Sequence, residues 1–197
     1  MSTETLAPGF ADPVLDAQRV FRAVLDAMAR PGTIIEIPSP STPPEPVMPA
    51  VGAVLLSLAD HETPVWIDHE SKAPGFSAWL GFHCGSRLVS EPGQAMFALV
   101  IDAATMPPLS AFEPGSEEYP DRSATIIVQV PSLTGGEGWT ITGPGIRDRI
   151  AFGPAGLPAA FKDWIVENNA HFPQGVDLIF ASGNRIAALP RSTRLKG

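Results

Sequence analysis

The sequence has 197 residues, 44% of them hydrophobic and 17% charged, with a formal net charge of −8 at pH 7. This length suits one domain with a sizeable core, and the acidic balance argues against a nucleic-acid partner, whose phosphates select basic faces. The apolar runs are too short to cross a bilayer, and a single cysteine, Cys84, indicates a reducing cytoplasm rather than a disulfide framework.

The first element is a predicted helix in "DPVLDAQRVFRAVLDAMARPG". Asp12 is a suitable cap, Pro13 suits the first helical position, and Gly32 is a stop signal after Pro31. The residues that fall on one apolar stripe at helical spacing are Val20, Phe21, Val24, Leu25 and Met28.

A strand in "TIIEI" follows, and then a proline-rich segment, residues 38–49, which we expect to be an extended surface loop. "AVGAVLLSLAD" predicts a short buried helix and "PVWI" a strand behind it. Residues 75–82 predict a helical turn that leads into a strand near Phe82.

In the second half, "AMFALVI" and "ATIIVQV" are apolar runs of strand length without alternation, which indicates central strands covered on both faces. "ATIIVQV" and "WTITG" flank the glycine-rich "PSLTGGEG", a pattern that predicts a hairpin. "PAAFKDWIVENN" predicts a second amphipathic helix. "VDLIFAS" and "RIAALP", separated by "GN", predict another hairpin. We therefore expect one domain over residues 1–197, of the α/β class, with a mixed sheet flanked by helices.

The glycine turn in "TITGPGI" matches neither common nucleotide motif. No Gly-x4-Gly-Lys-Ser/Thr run occurs, and the pattern that starts at Gly143 and Gly145 has Asp148 where a dinucleotide loop needs a third glycine. Two interpretations stay open: a turn that ends a strand, or a turn that contacts an anion with the help of Arg147 or Arg149.

No catalytic residue or metal site is indicated by the remaining reactive side chains. Cys84 follows His83 directly, and neighbours on a strand would point to opposite faces rather than form a thiolate–base pair. The histidines lack metal-binding spacing, and the acidic cluster that includes Asp60 is typical of solvated turns. A pyridoxal-phosphate enzyme needs a Schiff-base lysine, and none of Lys72, Lys162 and Lys196 is placed for one, so we expect no cofactor.

The C-terminal run "NRIAALPRSTRLKG" concentrates positive charge in an acidic protein. Pro190 should halt a strand and present Arg191 in a defined direction, and a guanidinium matches phosphate or phosphonate oxygens bidentately. Arg194 and Lys196 are equally consistent with a solubilising basic tail.

Five runs, taken in order, resemble the PhnH family, a subunit of the bacterial carbon–phosphorus lyase system. They are "FRAVLDAMARPG" (21–32), "LLSLADHETPVW" (55–66), "LTGGEGWTITGPGI" (133–146), "FPQGVDLIF" (172–180) and "LPRSTRL" (189–195). The set spans most of the chain, although Ser192 stands where threonine would be expected.

The resemblance implies a fold with local similarity to pyridoxal-phosphate-dependent transferases, but without the cofactor. It also implies a homodimer that joins PhnG, PhnI and PhnJ in a complex that transfers an alkylphosphonate to the ribose C1′ of ATP, with no catalytic residue assigned to this subunit. A small transferase or lyase that uses His83, Asp60 or the arginines is the competing hypothesis, and a stand-alone anion-binding domain is a third.

Two groups of positions follow from the residues and the resemblance together. The candidate contacts to a phosphonate or nucleotide anion are Arg191, Arg147, Arg22, Thr193 and His83. The positions expected to shape the backbone are Pro31, Gly32, Asp60, Gly143, Pro144, Gly145, Gly175, Asp177 and Pro190.

Overall fold

The computed structural model describes residues 6–68 and 73–196, which form four α-helices and nine strands. The helices are α1 (Pro13–Ala29), α2 (Pro49–Leu58), α3 (Pro74–Cys84) and α4 (Phe161–Ala170). The strands are β1 (Ile35–Glu36), β2 (Val65–Ile67), β3 (Phe97–Val100), β4 (Thr125–Gln129), β5 (Trp139–Thr142), β6 (Ile150–Phe152), β7 (Asp177–Ser182), β8 (Arg185–Leu189) and β9 (Arg194–Lys196).

The main sheet has six strands in the order β1-β8-β7-β4-β3-β2. Strands β2, β3, β4 and β7 are parallel, whereas β8 and β1 extend the sheet in antiparallel pairing. Strands β7 and β8 form a hairpin around Gly183, which has a φ of 59°. The mixed sheet and this hairpin are as predicted.

The main sheet is buried on both faces, as the apolar runs predict. Alternate residues of β4 belong to two separate clusters: Ile127 packs with α1, α2 and α3, whereas Ile126 and Val128 pack with α4 and the second sheet. Because side chains alternate along a strand, one sheet supports a core on each side. The result is three layers: three helices, the main sheet, and a layer of α4 with the second sheet.

The second sheet has the strand order β6-β5-β9 and is antiparallel throughout. Its inner face presents Trp139, Ile141 and Phe152 to the core, where Trp139 stacks on Phe161 of α4 at 5.9 Å between ring centroids. This sheet overturns the predicted hairpin between "ATIIVQV" and "WTITG". The first of these runs is β4 and the second is β5, and they belong to different sheets, so "PSLTGGEG" connects two layers.

Helix α1 begins as predicted, since the Asp12 carboxylate accepts hydrogen bonds from the backbone N–H groups of Val14 and Leu15. Its apolar stripe is split, however. Val20 and Val24 are buried, whereas Phe21 is 44% exposed and Leu25 is 52% exposed. Helical periodicity shows which residues share a face but not which of two apolar faces the core covers.

The prediction for residues 75–82 is wrong in its second part, because the segment continues as α3 to Cys84 with no strand. Pro74 occupies the first turn, and Gly85 ends the helix in the left-handed conformation at φ 68°. Aromatic residues in "GFSAWLGFH" resemble a strand by propensity alone, but Phe76 and Trp79 reach the core at helical spacing.

The proline-rich segment has no helix or strand between residues 38 and 48, and Pro49 is already the first residue of α2. It is not wholly a surface loop, since Ser41, Pro43 and Val47 are buried.

The mixed sheet and the helices packed on it confirm the α/β class. The local likeness to pyridoxal-phosphate-dependent transferases stays a prediction.

Candidate functional site

Segments from four of the five runs meet in one cluster of turns, which we call the turn junction: residues 28–32, 143–146, 172–177 and 190–194. A Cβ added to Gly145 would lie 2.1 Å from the carbonyl oxygen of Ala29, and one added to Gly143 would lie 3.0 Å from that of Ser192. The glycine turn therefore ends β5 and packs backbone to backbone against its neighbours. This geometry favours the first of its two interpretations, a shaped turn.

Arg191 is held in the turn junction by an acidic partner. Its Nη2 lies 2.5 Å from Oδ2 of Asp177 and its Nε lies 3.2 Å from Oδ1, so the guanidinium forms a forked ion pair. The backbone N–H of Arg191 donates to the same Oδ1 at 2.8 Å, and Nη1 donates to the carbonyl oxygen of Pro120. Asp177 begins β7, so the pair ties the turn after β8 to the amino end of the central strands.

Two cavities open at the junction. One, of about 450 Å³, is lined by Arg191 and Asp177 together with Met28 and Phe172. The other, of about 150 Å³, is lined by Asn169 and Arg194 and shares Phe172 and Ser192 with the first. Both cavities are open to solvent, and the Arg191 guanidinium and the Asp177 carboxylate both line the larger one.

Thr193 lies in the same turn but is only 2% exposed. Its N–H donates to the carbonyl oxygen of Pro190 at 2.8 Å, which closes the turn. Its hydroxyl oxygen is buried and has no hydrogen-bond partner among the described residues.

The other three candidate anion contacts lie apart from this turn. Arg22 is exposed on α1, and Arg147 is exposed in the loop between β5 and β6. His83 lies on α3, where its Nε2 is 3.1 Å from the carbonyl oxygen of Ala7 and its ring meets Trp79 edge to face. The structure thus brings Arg191 and Thr193 together and places His83 in the helical layer.

Cys84 and His83 do not form a nucleophile–base pair. They are neighbours on a helix, and the Cys84 thiol lies 3.8 Å from the carbonyl oxygen of Leu55. Burial, with a smaller contribution from the Asp60 carboxylate, raises the pKa of Cys84 to about 11. A thiol in this state is a poor nucleophile at neutral pH.

Asp60 shapes a turn after α2. Its carboxylate accepts hydrogen bonds from the Thr63 hydroxyl at 2.7 Å and the Glu62 N–H at 2.9 Å. The Thr63 hydroxyl first, and the Glu62 N–H second, lower the pKa of Asp60 below its ordinary value. Within residues 6–68 and 73–196 no group of three or more histidine, cysteine or carboxylate side chains could hold a metal ion.

Two more of the backbone-shaping positions, Gly32 and Gly175, make hydrogen bonds through their backbone N–H groups. The N–H of Gly32 donates to the carbonyl oxygen of Ala188 at 3.0 Å, and Pro31 is buried beside it. The N–H of Gly175 donates to the carbonyl oxygen of Pro114 at 2.8 Å, where its φ of 116° requires glycine.

Sequence reasoning missed Gln129, which closes the carboxyl edge of the parallel strands. Its Oε1 accepts the N–H of Met48 at 2.6 Å, and its Nε2 donates to the carbonyl oxygen of Pro46 at 3.3 Å. Open α/β sheets bind ligands at this edge, but here the proline-rich segment covers the end of β4. A polar residue near the end of an apolar strand was the available signal.

A further cavity of about 230 Å³ lies beside α4 and is lined by Trp164, His171 and Phe112 among others. The Nδ1 atom of His171 has a hydrogen-bond partner, the carbonyl oxygen of Glu167 at 2.9 Å. No sequence pattern indicated this cavity, because its walls come from segments far apart in the chain.

In the described part of the chain, no helix has the length and apolar character needed to cross a membrane.

Comparison with known proteins places these features in a family. The family model described as bacterial phosphonate metabolism protein (PhnH) matches residues 8–196. A protein of Rhizobium meliloti (strain 1021), named alpha-D-ribose 1-methylphosphonate 5-triphosphate synthase subunit PhnH, is 41% identical over 187 residues, which cover 95% of this chain and 94% of that protein. The putative C-P lyase subunit protein HtxG of Stutzerimonas stutzeri is 40% identical over 81 residues, or 41% of this chain and 42% of that protein. The chain therefore belongs to the PhnH family.

Proposed function

We propose that this chain is a cytoplasmic, non-catalytic subunit of a carbon–phosphorus lyase complex, in which it supports transfer of an alkylphosphonate to the ribose C1′ of ATP with displacement of adenine. The observation that carries the proposal is the 41% identity, over 95% of the chain, to a protein named as a subunit of the corresponding synthase. Identity at this level over nearly the whole of both chains supports a shared role as well as a shared fold.

The state of the reactive side chains supports a non-catalytic role. The Arg191 guanidinium is engaged by Asp177, and the His83 ring is engaged by Ala7. The Cys84 thiol has a pKa of about 11 and is half-buried. These groups stabilise turns and helix packing, and a reaction would have to break those contacts first.

The proposed partners are a second copy of this chain and subunits of the PhnG, PhnI and PhnJ types. Helix α1 supports such an interface because it is apolar on two faces. Val14, Phe21 and Leu25 form an exposed stripe at helical spacing, opposite the buried residues of the same helix. Apolar stripes of this kind are typical of protein–protein contacts.

Co-purification tests the proposal. The chain is co-expressed with tagged PhnG-, PhnI- and PhnJ-type subunits, as wild type and as the variant Phe21→Glu with Leu25→Glu. We expect the wild type to be retained and the variant to be lost, because two carboxylates would be buried at the interface. The control is Phe82→Glu with Val166→Glu, which places the same charges on other exposed apolar residues.

Three results would contradict parts of the proposal. Failure of the wild type to co-purify would overturn the subunit role. Equal loss of the control variant would remove α1 as the specific interface. Turnover of ATP with methylphosphonate by the isolated chain would overturn the non-catalytic role in favour of a small transferase or lyase.

A further inference from the structure

The outer face of the second sheet carries positive charge in an otherwise acidic protein. Strand register places Lys196 opposite Thr140, and Arg194 opposite Thr142. The intervening Ile141 is buried, and side chains alternate along a strand, so these four side chains share the face turned away from the core. We call this surface the cationic face.

The charges on this face are available for a ligand. Arg194 and Lys196 are exposed, and neither has a carboxylate within ion-pair distance among residues 6–68 and 73–196. Arg149 is exposed two residues before Ala151, which pairs with Thr140 from the other side. A third cation therefore borders the same face. Arg191, by contrast, is neutralised by Asp177.

The residue types suit phosphate oxygens. A guanidinium donates two parallel N–H bonds to such oxygens, an ammonium adds a point charge, and threonine hydroxyls donate to the oxygens between them. Arg194 and Lys196 are two residues apart on one strand, about 7 Å, and the neighbouring strand is about 4.8 Å away. This area fits a short chain of phosphates and is far smaller than a protein interface.

We propose that the cationic face binds the triphosphate group of a nucleotide or ribose triphosphate. The inference rests on the proposed function, because the relative from Rhizobium meliloti is named for a synthase whose product carries a 5-triphosphate. Arg194 also lines the cavity of about 150 Å³ with Asn169 and Ser192, so one side chain connects the face to a concave surface.

Calorimetric titration of the isolated full chain tests the assignment, with inorganic tripolyphosphate, ATP and adenosine as probes at low salt. We expect tripolyphosphate and ATP to bind with similar affinity, adenosine not to bind, and the affinity to fall as salt is raised. The variant Arg194→Gln with Lys196→Gln should bind at least tenfold more weakly, and Lys196→Gln alone by an intermediate factor. The matched control, Arg87→Gln with Arg185→Gln, removes two exposed charges elsewhere and should stay within twofold of wild type.

Several outcomes would overturn the assignment. One is no binding of tripolyphosphate by the wild type, and another is unchanged binding by the double variant with its thermal midpoint intact. Binding of adenosine equal to that of ATP would place recognition on the base instead. If the double variant loses co-purification while the wild type binds no tripolyphosphate, the face is a protein interface. Because binding is measured on the isolated chain, its failure leaves the subunit role untouched, and loss of wild-type co-purification leaves the binding result standing.

Discussion

Arg191 and Asp177 form a forked ion pair whose closest atoms, Nη2 and Oδ2, are 2.5 Å apart, with the side chains only 16% and 15% exposed. The backbone N–H of Arg191 adds a third hydrogen bond to the same carboxylate. Breaking a pair this enclosed lowers the free energy of unfolding more than breaking an exposed pair does, because removal of one partner leaves a desolvated charge.

Asp177→Ala should therefore lower the free energy of unfolding by about 3 kcal/mol, measured by urea denaturation. The control is Asp26→Ala, which breaks the Asp26–Arg30 pair, whose side chains are 62% and 56% exposed. That change should cost less than about 1 kcal/mol. Equal effects of the two variants would show that Arg191 finds other partners when Asp177 is absent.

Gly145→Ala should destabilise the protein by about 3 kcal/mol or more, because it combines a left-handed backbone with a steric clash. Gly145 has a φ of 80°, and its added Cβ would lie 2.1 Å from the carbonyl oxygen of Ala29. Gly183→Ala is the control: Gly183 has a φ of 59°, and no atom of the described residues lies within 4 Å of the added Cβ, so the change should cost about 1–2 kcal/mol. A smaller loss for Gly145→Ala than for the control would contradict the close packing of the turn junction.

Thr193→Val should raise the free energy of unfolding by about 1 kcal/mol, since it removes a buried hydroxyl that has no hydrogen-bond partner within residues 6–68 and 73–196. Thermal and urea unfolding measure this change. The same variant tests whether Thr193 contacts an anion. Weaker binding of tripolyphosphate by a folded Thr193→Val protein would support that contact, whereas a fall in stability would show that the hydroxyl has a partner in solution.

Asp16 makes the free energy of unfolding depend on pH in the acidic range. The Asp12 N–H first, then the Ser39 hydroxyl and Arg19, lower the pKa of Asp16 below its ordinary value of 3.8. The ionised form is thus favoured by folding, so its contribution is present above the ordinary pKa and is lost as the pH falls through the lowered value. The difference in unfolding free energy between wild type and Asp16→Asn should be constant from about pH 5 to 7 and should shrink below about pH 4. A difference that persists unchanged at about pH 2 would contradict this linkage.

Local signals predicted those parts of the fold that local chemistry determines. The Asp12 cap, the Pro13 start and the hairpin around Gly183 depend on residues a few positions apart, and all three are present. The double-sided burial of the central strands also followed from their apolar runs.

Features that depend on distant residues could not be predicted in this way. Asp177 lies 14 residues before Arg191, and nothing in either segment shows that they pair. The burial of one face of α1 rather than the other is decided by the sheet and α2. The strand that follows "PSLTGGEG" joins a different sheet, where its apolar side chains are buried in the same hydrophobic cluster as α4. Arg194 and Lys196 resembled a tail in the sequence, whereas the structure places them on one strand, where alternation gives them a common face and the register adds Thr142 and Thr140 to it.

Gln129 bonds to two residues far earlier in the sequence. Its side chain accepts a hydrogen bond from Met48, 81 residues before it, and donates one to Pro46, 83 residues before it. Its carboxamide does for this chain, which has a single cysteine, part of what a disulfide does for a secreted domain: it holds a long loop closed. Holding such a loop offsets some of the chain entropy that its closure costs. Unlike a disulfide, this cross-link needs no oxidant, and it reforms whenever the chain refolds.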